Sequence, residues 1–222
     1  MLIVNIEATR EIGSRSLGDV NASGFLCDSN NKNFQNISMY LGERTAIKAN
    51  SLSYEVGCRR NNGKYNNINC AYVSAFIGNA STSTGITSQI SNISISGYDF
   101  NNKKEIGTSV EILGIQNSKA ISKNAFCEDY TNENYVGGVF GTTRGAFNIN
   151  NISFIGNTKG DSQIIMQGHR DPNSAFAGGI VGFAKLCYNN QFDVSKQTYT
   201  NCMIKNAKVY GSATISKEAR YE

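Results

Sequence analysis

The chain contains no tryptophan, a single proline (Pro172), a single histidine (His169), and only 17% charged residues among its 222. With one histidine and no C-x-x-C pair among the cysteines at 27, 58, 70, 127, 187 and 202, a zinc site of ordinary spacing is not expected. No stretch approaches the ~18 consecutive apolar residues of a membrane-spanning helix, so no membrane insertion is expected. The opening MLIVNIEATREIG lacks a basic leader and an unbroken apolar run, so it does not read as a signal peptide. No run of five like charges accompanies the net charge of +4, and Arg59-Arg60 and Lys103-Lys104 are not interleaved with aromatic residues, so a nucleic-acid partner is not expected either. A phosphate-cradling G-x-x-x-x-G-K-[ST] loop is also missing, which argues against nucleotide binding, and no cofactor is expected.

What the chain does have is 29 Asn and 22 Gly, with short apolar runs between polar turns. That is the composition of many short strands, and a length of 222 residues suits one all-β domain covering 1–222. An apolar share of 40% with so little charge also separates it from disordered chains.

One phrase recurs: Tyr72-Val73-Ser74-Ala75-Phe76-Ile77-Gly78, then Tyr135-Val136-Gly137-Gly138-Val139-Phe140-Gly141, then Phe176-Ala177-Gly178-Gly179-Ile180-Val181-Gly182, with a faint copy at Ser23-Gly24-Phe25-Leu26-Cys27. Each reads as a glycine-rich apolar strand, whose paired small residues leave room for a neighbouring backbone and whose last Gly permits a corner with positive φ. A second phrase follows each copy: Asn36-Ile37-Ser38-Met39-Tyr40-Leu41-Gly42, Asn92-Ile93-Ser94-Ile95-Ser96-Gly97, Asn151-Ile152-Ser153-Phe154-Ile155-Gly156, and a looser version from Asn201 to Gly211. Its alternation is that of a half-buried strand, and its leading Asn suits a left-handed corner where stacked copies form an amide ladder.

The final glycines of the first phrase, at 78, 141 and 182, lie 63 and 41 residues apart, close to three and two multiples of about 21, and Gly57 lies 21 before Gly78. The spacing therefore predicts coils of roughly 20 residues in a parallel, right-handed β-helix. The expected core draws on Phe76, Ile77, Ile93, Ile95, Val139, Phe140, Ile152, Phe154, Ile180, Val181, Met203 and Val209.

The GGVFG and GGIVG phrases, followed by N-I-S-x-x-x-G, resemble the GLUG-motif repeats of secreted and surface-attached microbial proteins. The resemblance is clearest over 70–215, with 1–50 irregular or capping. It implies a β-solenoid displayed outside the cell or on its surface, and no catalytic residue in the repeat. The abrupt ending KEARYE, without a capping element, is what a piece of a longer chain would show.

The densest polar cluster is Gly168-His169-Arg170-Asp171-Pro172-Asn173. Adjacent residues orient one another poorly as base and acid, and Pro172 marks a turn, so this reads as a solvated loop. A glycosidase would need two carboxyl groups facing one sugar, and the loop acids Asp28, Glu128, Asp129, Asp161 and Asp171 are the available candidates. No pattern pairs them, so no catalytic, cofactor-binding or metal-ligating residue is assigned. Tyr130, Tyr135 and Tyr188 are expected to be exposed, where they could serve a carbohydrate or protein surface. The five N-x-[ST] sequons, at Asn21, Asn36, Asn79, Asn92 and Asn151, match the number that chance placement gives. The cysteines read equally well as core thiols or disulfides, with Cys58–Cys70 and Cys187–Cys202 the short pairs. The sequence reads as a non-enzymatic surface repeat module, adhesive or stalk-like, whose partner is a glycan or a cell-surface protein. The alternative is a carbohydrate-active β-helix enzyme.

Overall fold

The computed structural model describes residues 5–12, 20–42, 45–54, 71–83, 85–119, 134–157, 162–169, 175–186, 192–193, 198–199, 202–211 and 213–220. Among these there are strands and no helix. In chain order they are β1 (Asn5–Ile12), β2 (Val20–Ser23), β3 (Leu26–Asn30) and β4 (Phe34–Tyr40), then β5 (Thr45–Tyr54), β6 (Ala71–Ser74), β7 (Ile77–Ser81) and β8 (Thr87–Asp99). The short β9 (Lys104–Ile106) precedes β10 (Val110–Lys119), β11 (Asn134–Gly137) and the long β12 (Phe140–Ile155). The series continues with β13 (Ser162–His169), β14 (Ala175–Gly178), β15 (Val181–Leu186), β16 (Phe192–Asp193), β17 (Thr198–Tyr199), β18 (Met203–Tyr210) and β19 (Ala213–Arg220).

The order repeats in space. One parallel stack is β1-β5-β10-β13-β19 and a second is β2-β6-β11-β14. The third runs β3-β7-β12-β15 and the fourth β4-β8-β12-β18, because β12 is long enough to serve both. Two short pairs are antiparallel: β8 with β9, and β16 with β17.

Like residues fall on like. Ile47 pairs with Ile112 and Ile112 with Ile164; Ile90 pairs with Ile149, Ile93 with Ile152, and Ile95 with Phe154. All of these are buried. Burying each such side chain contributes about 1.5–3 kcal/mol, which no layer could gain without its neighbours.

The repeated phrases are the rungs of these stacks, but the unit is not 20 residues. Ile77 pairs with Phe140, 63 residues on, and Phe140 with Val181, 41 on. Leu26 pairs with Ile77, 51 on, so the faint first copy is a true rung. The intervals once divided by 21 are therefore single stacking steps of unequal length, since the polar connections differ in length while the register does not. Gly57 lies outside the described residues.

The glycine-rich phrase is also two strands rather than one. Asn134–Gly137 forms β11, Gly138-Val139 bends, and β12 begins at Phe140. The bends remain stacked: Phe76 N–H donates to the Val139 carbonyl at 3.1 Å, and Val139 N–H to the Ile180 carbonyl at 3.0 Å. The last glycine of the phrase is not at positive φ; among glycines that conformation belongs to Gly85, Gly145 and Gly211. Gly182 instead lies against the Val136 backbone, where an added Cβ would sit 2.7 Å from the carbonyl oxygen.

The second phrase holds the left-handed corner. Asn36, Asn92 and Asn151 have φ of 56°, and Asn206 has φ of 52°. These residues lie inside β4, β8, β12 and β18 rather than before them. Their turn of the backbone changes the inward spacing from two residues to three, so Ile90 and Ile93, or Ile149 and Ile152, are both buried. Asn151 Nδ2 donates to Asn92 Oδ1 at 2.9 Å, and Asn92 Nδ2 to Asn36 Oδ1 at 2.8 Å. In the fourth copy the corner is Asn206, not Asn201, and its amide donates to Asn150 Oδ1 at 2.9 Å.

Most of the expected core is buried, and Ile180 and Val181 pack against it partly exposed. Met203 and Val209 are 39% and 40% exposed. Met203 pairs with the half-buried Asn148 on an outward position, and Val209, above Phe154, lies on β18, at the end of its stack. Tyr135 is a further correction. It is fully buried in a seam where Tyr72 and Phe176 stack on it at 5.5 and 5.4 Å, while Arg144 lies 5.4 Å from its ring centre. Tyr130 and Tyr188 lie outside the described residues.

Two stability measurements check this packing. Gly138→Val, whose side chain would run into the Gly179 carbonyl, should lower unfolding free energy by about 3 kcal/mol or more. Gly179→Val meets only the Val209 and Ile215 side chains, both substantially exposed, and should cost less in the same denaturant titration. For the ladder, Asn92→Ala should destabilise by about 2–3 kcal/mol, through the left-handed backbone and the lost amide bonds. Asn92→Gly, which keeps the backbone, should recover roughly half of that loss.

Candidate functional site: the hairpin that leaves the stack

β8 is longer than the rung it forms. Its residues through Ser96 pair in the parallel stack, whereas Gly97, Tyr98 and Asp99 pair antiparallel with Ile106, Glu105 and Lys104 of β9. The result is a hairpin with a turn at Phe100-Asn101-Asn102-Lys103.

Asp99 fixes this turn. Its Oδ1 accepts from the N–H groups of Asn101 and Asn102 at 3.0 and 3.1 Å, and its Oδ2 from Asn102 Nδ2 at 2.8 Å. This is an Asx turn closed by a second amide, and Lys103 completes it in the left-handed region at φ 50°. The side-chain bond from Asn102, followed by that residue's N–H, holds the Asp99 carboxyl below its ordinary value; the Asn101 N–H and the charge of Lys104 act in the same direction against a small opposing desolvation.

The hairpin carries a row of rings. Tyr40, from the end of β4, lies 4.8 Å from Tyr98, and Tyr98 lies 5.0 Å from Phe100. Phe100 is 65% exposed and Tyr40 48%. Asn101, Asn102, Lys103 and Lys104 surround them, all exposed.

The other polar groups are engaged within the fold. Asp28 accepts from Asn21 and Asn79 at 2.8 and 3.0 Å, Glu105 from Ser94 at 2.8 Å, and Glu111 pairs with Lys48 at 2.7 Å. With Asp99 these are the four acids whose side chains are described, and each bonds to an amide, a hydroxyl or an ammonium group rather than to another acid. No group of three residues able to hold a metal ion occurs among the described residues. His169 ends β13 in register with Arg220, so it belongs to a strand rather than a loop. Glu128, Asp129, Asp161 and Asp171 lie outside the described residues, as do Cys58, Cys70, Cys127 and Cys187. Cys202 is disulfide-bonded and Cys27 is a free, exposed thiol. No family model, curated protein or solved structure matches the chain.

Since the folded-state pKa of Asp99 is lowered, its contribution to turn order is complete above the ordinary carboxylate range, near pH ~4, and disappears as pH falls through the lowered value. Amide hydrogen exchange at Asn101 and Asn102 should therefore be protected at neutral pH and lose protection in strong acid. Asp99→Ala should show the unprotected rates at every pH.

Proposed function

We propose that this chain is a non-enzymatic extracellular or cell-surface module, a parallel β-helix of the GLUG-repeat kind that presents loops for adhesion. The observation that carries the reading is the division of labour along the chain. Its repeated phrases stack on one another as structure, while the β8–β9 hairpin leaves the stack and exposes aromatic rings. Four strand stacks visited in the same order support the helical winding, with turns of about 41–65 residues set by the register steps. The disulfide at Cys202 supports an oxidising compartment outside the cytosol.

A glycan array probed with the purified chain, with bound glycans analysed for products by mass spectrometry, tests this reading. Binding without turnover is the expected result. Cleaved glycans would replace the reading with that of a carbohydrate-active enzyme.

A further inference from the structure

We infer that the β8–β9 hairpin is a calcium-independent binding site for a neutral hexopyranose glycan, with Phe100, Tyr98 and Tyr40 as its platform. This rests on the module reading above and adds the ligand and the residues that hold it.

The rings supply the first part. An edge-to-face contact uses one face of one ring, and the Tyr98–Phe100 pair is of this kind at 73°. Ring faces therefore stay open on the most exposed aromatic residue of the patch. A flat apolar face matches the C–H face of a pyranose, and the spacings of 4.8 and 5.0 Å are of the order of one sugar residue.

Polar groups supply the second part. The exposed Asn101 and Asn102 bring amides, which both donate and accept, to the edge of the rings, as sugar hydroxyls require. The charges of the hairpin balance, Asp99 and Glu105 against Lys103 and Lys104, so the tip favours neither an anionic sugar nor an acidic lipid surface. A protein partner of ordinary affinity needs roughly 800 Å² on each side, more than a turn of this size presents.

The third part is rigidity. Asp99 fixes the turn before any ligand arrives, so little conformational entropy is lost on binding. The same bonds engage both Asp99 oxygens, and Glu105 is bonded to Ser94, so the carboxylate-rich oxygen set of a calcium-dependent lectin is not offered here.

The test is calorimetric titration of the full chain with cellohexaose, xylohexaose, mannohexaose and chitohexaose, with and without EDTA. At least one hexaose should bind, and EDTA should leave its affinity unchanged. Phe100→Ala should weaken it tenfold or more with no change in melting temperature, since Phe100 is largely in solvent. Tyr98→Ala should weaken it as well. Affinity equal to wild type in Phe100→Ala overturns the inference, as does loss of binding in EDTA, no binding to any of the four, or binding confined to polygalacturonate or heparin. If Phe100→Ala keeps its signals on the glycan array, only the hairpin assignment fails; if the array yields products, the module reading fails with it.

Discussion

Everything in this structure depends on registry between parallel backbones. A parallel strand has no partner within its own layer, so each layer satisfies its amides and covers its apolar side chains only through the layers above and below. Registry places isoleucine on isoleucine and asparagine on asparagine. A shift by one residue would turn every buried side chain of that rung to the other face. The connections are under no such restraint, which is why they vary in length while the pairing does not.

Corners are where backbone chemistry decides what the rungs may contain. One corner needs small residues because adjacent backbones pass within contact distance of each other, as Gly182 does against Val136. Another needs asparagine because the chain enters the left-handed region there while its amide still finds a partner. Between them the corners allow inward spacings of three as well as two, so both sides of an asparagine corner contribute to the interior. A hairpin such as β8–β9 can then leave the stack without disturbing it, because the pairing has ended before Gly97.

Much of this was legible in the sequence. The repeated phrases marked the rungs, the Ile-Ser-Ile-Ser alternation marked a half-buried strand, and asparagine marked the left-handed corner and its ladder. The size of the unit was misread because 63 and 41 lie near multiples of 21, an arithmetic coincidence that pairing removes. The burial of Tyr135 could not be read from its neighbours. It arises from the aromatic residues that stack on it from 63 residues before and 41 after, and from Arg144, which the chain returns to its face. The hairpin did leave a signal, since Asp99 followed by Asn101 and Asn102 after a strand pattern is turn chemistry. Tyr40 carried none, because only stacking brings the end of one rung beside the hairpin of the next.

The amide ladder has a direction. Asn151 donates to Asn92 and Asn92 donates to Asn36, so the column is a line of aligned dipoles in full contact with water. Asparagine slowly hydrolyses to aspartate in proteins that persist for long periods. A carboxylate at position 92 would still accept from Asn151, but it would have no N–H for Asn36 and would turn its charge toward that residue's carbonyl oxygen. Ageing at this column therefore breaks it on one side only and leaves a negative mark on an otherwise uncharged row. The apolar interior beneath stays closed while the surface records the molecule's time in solution.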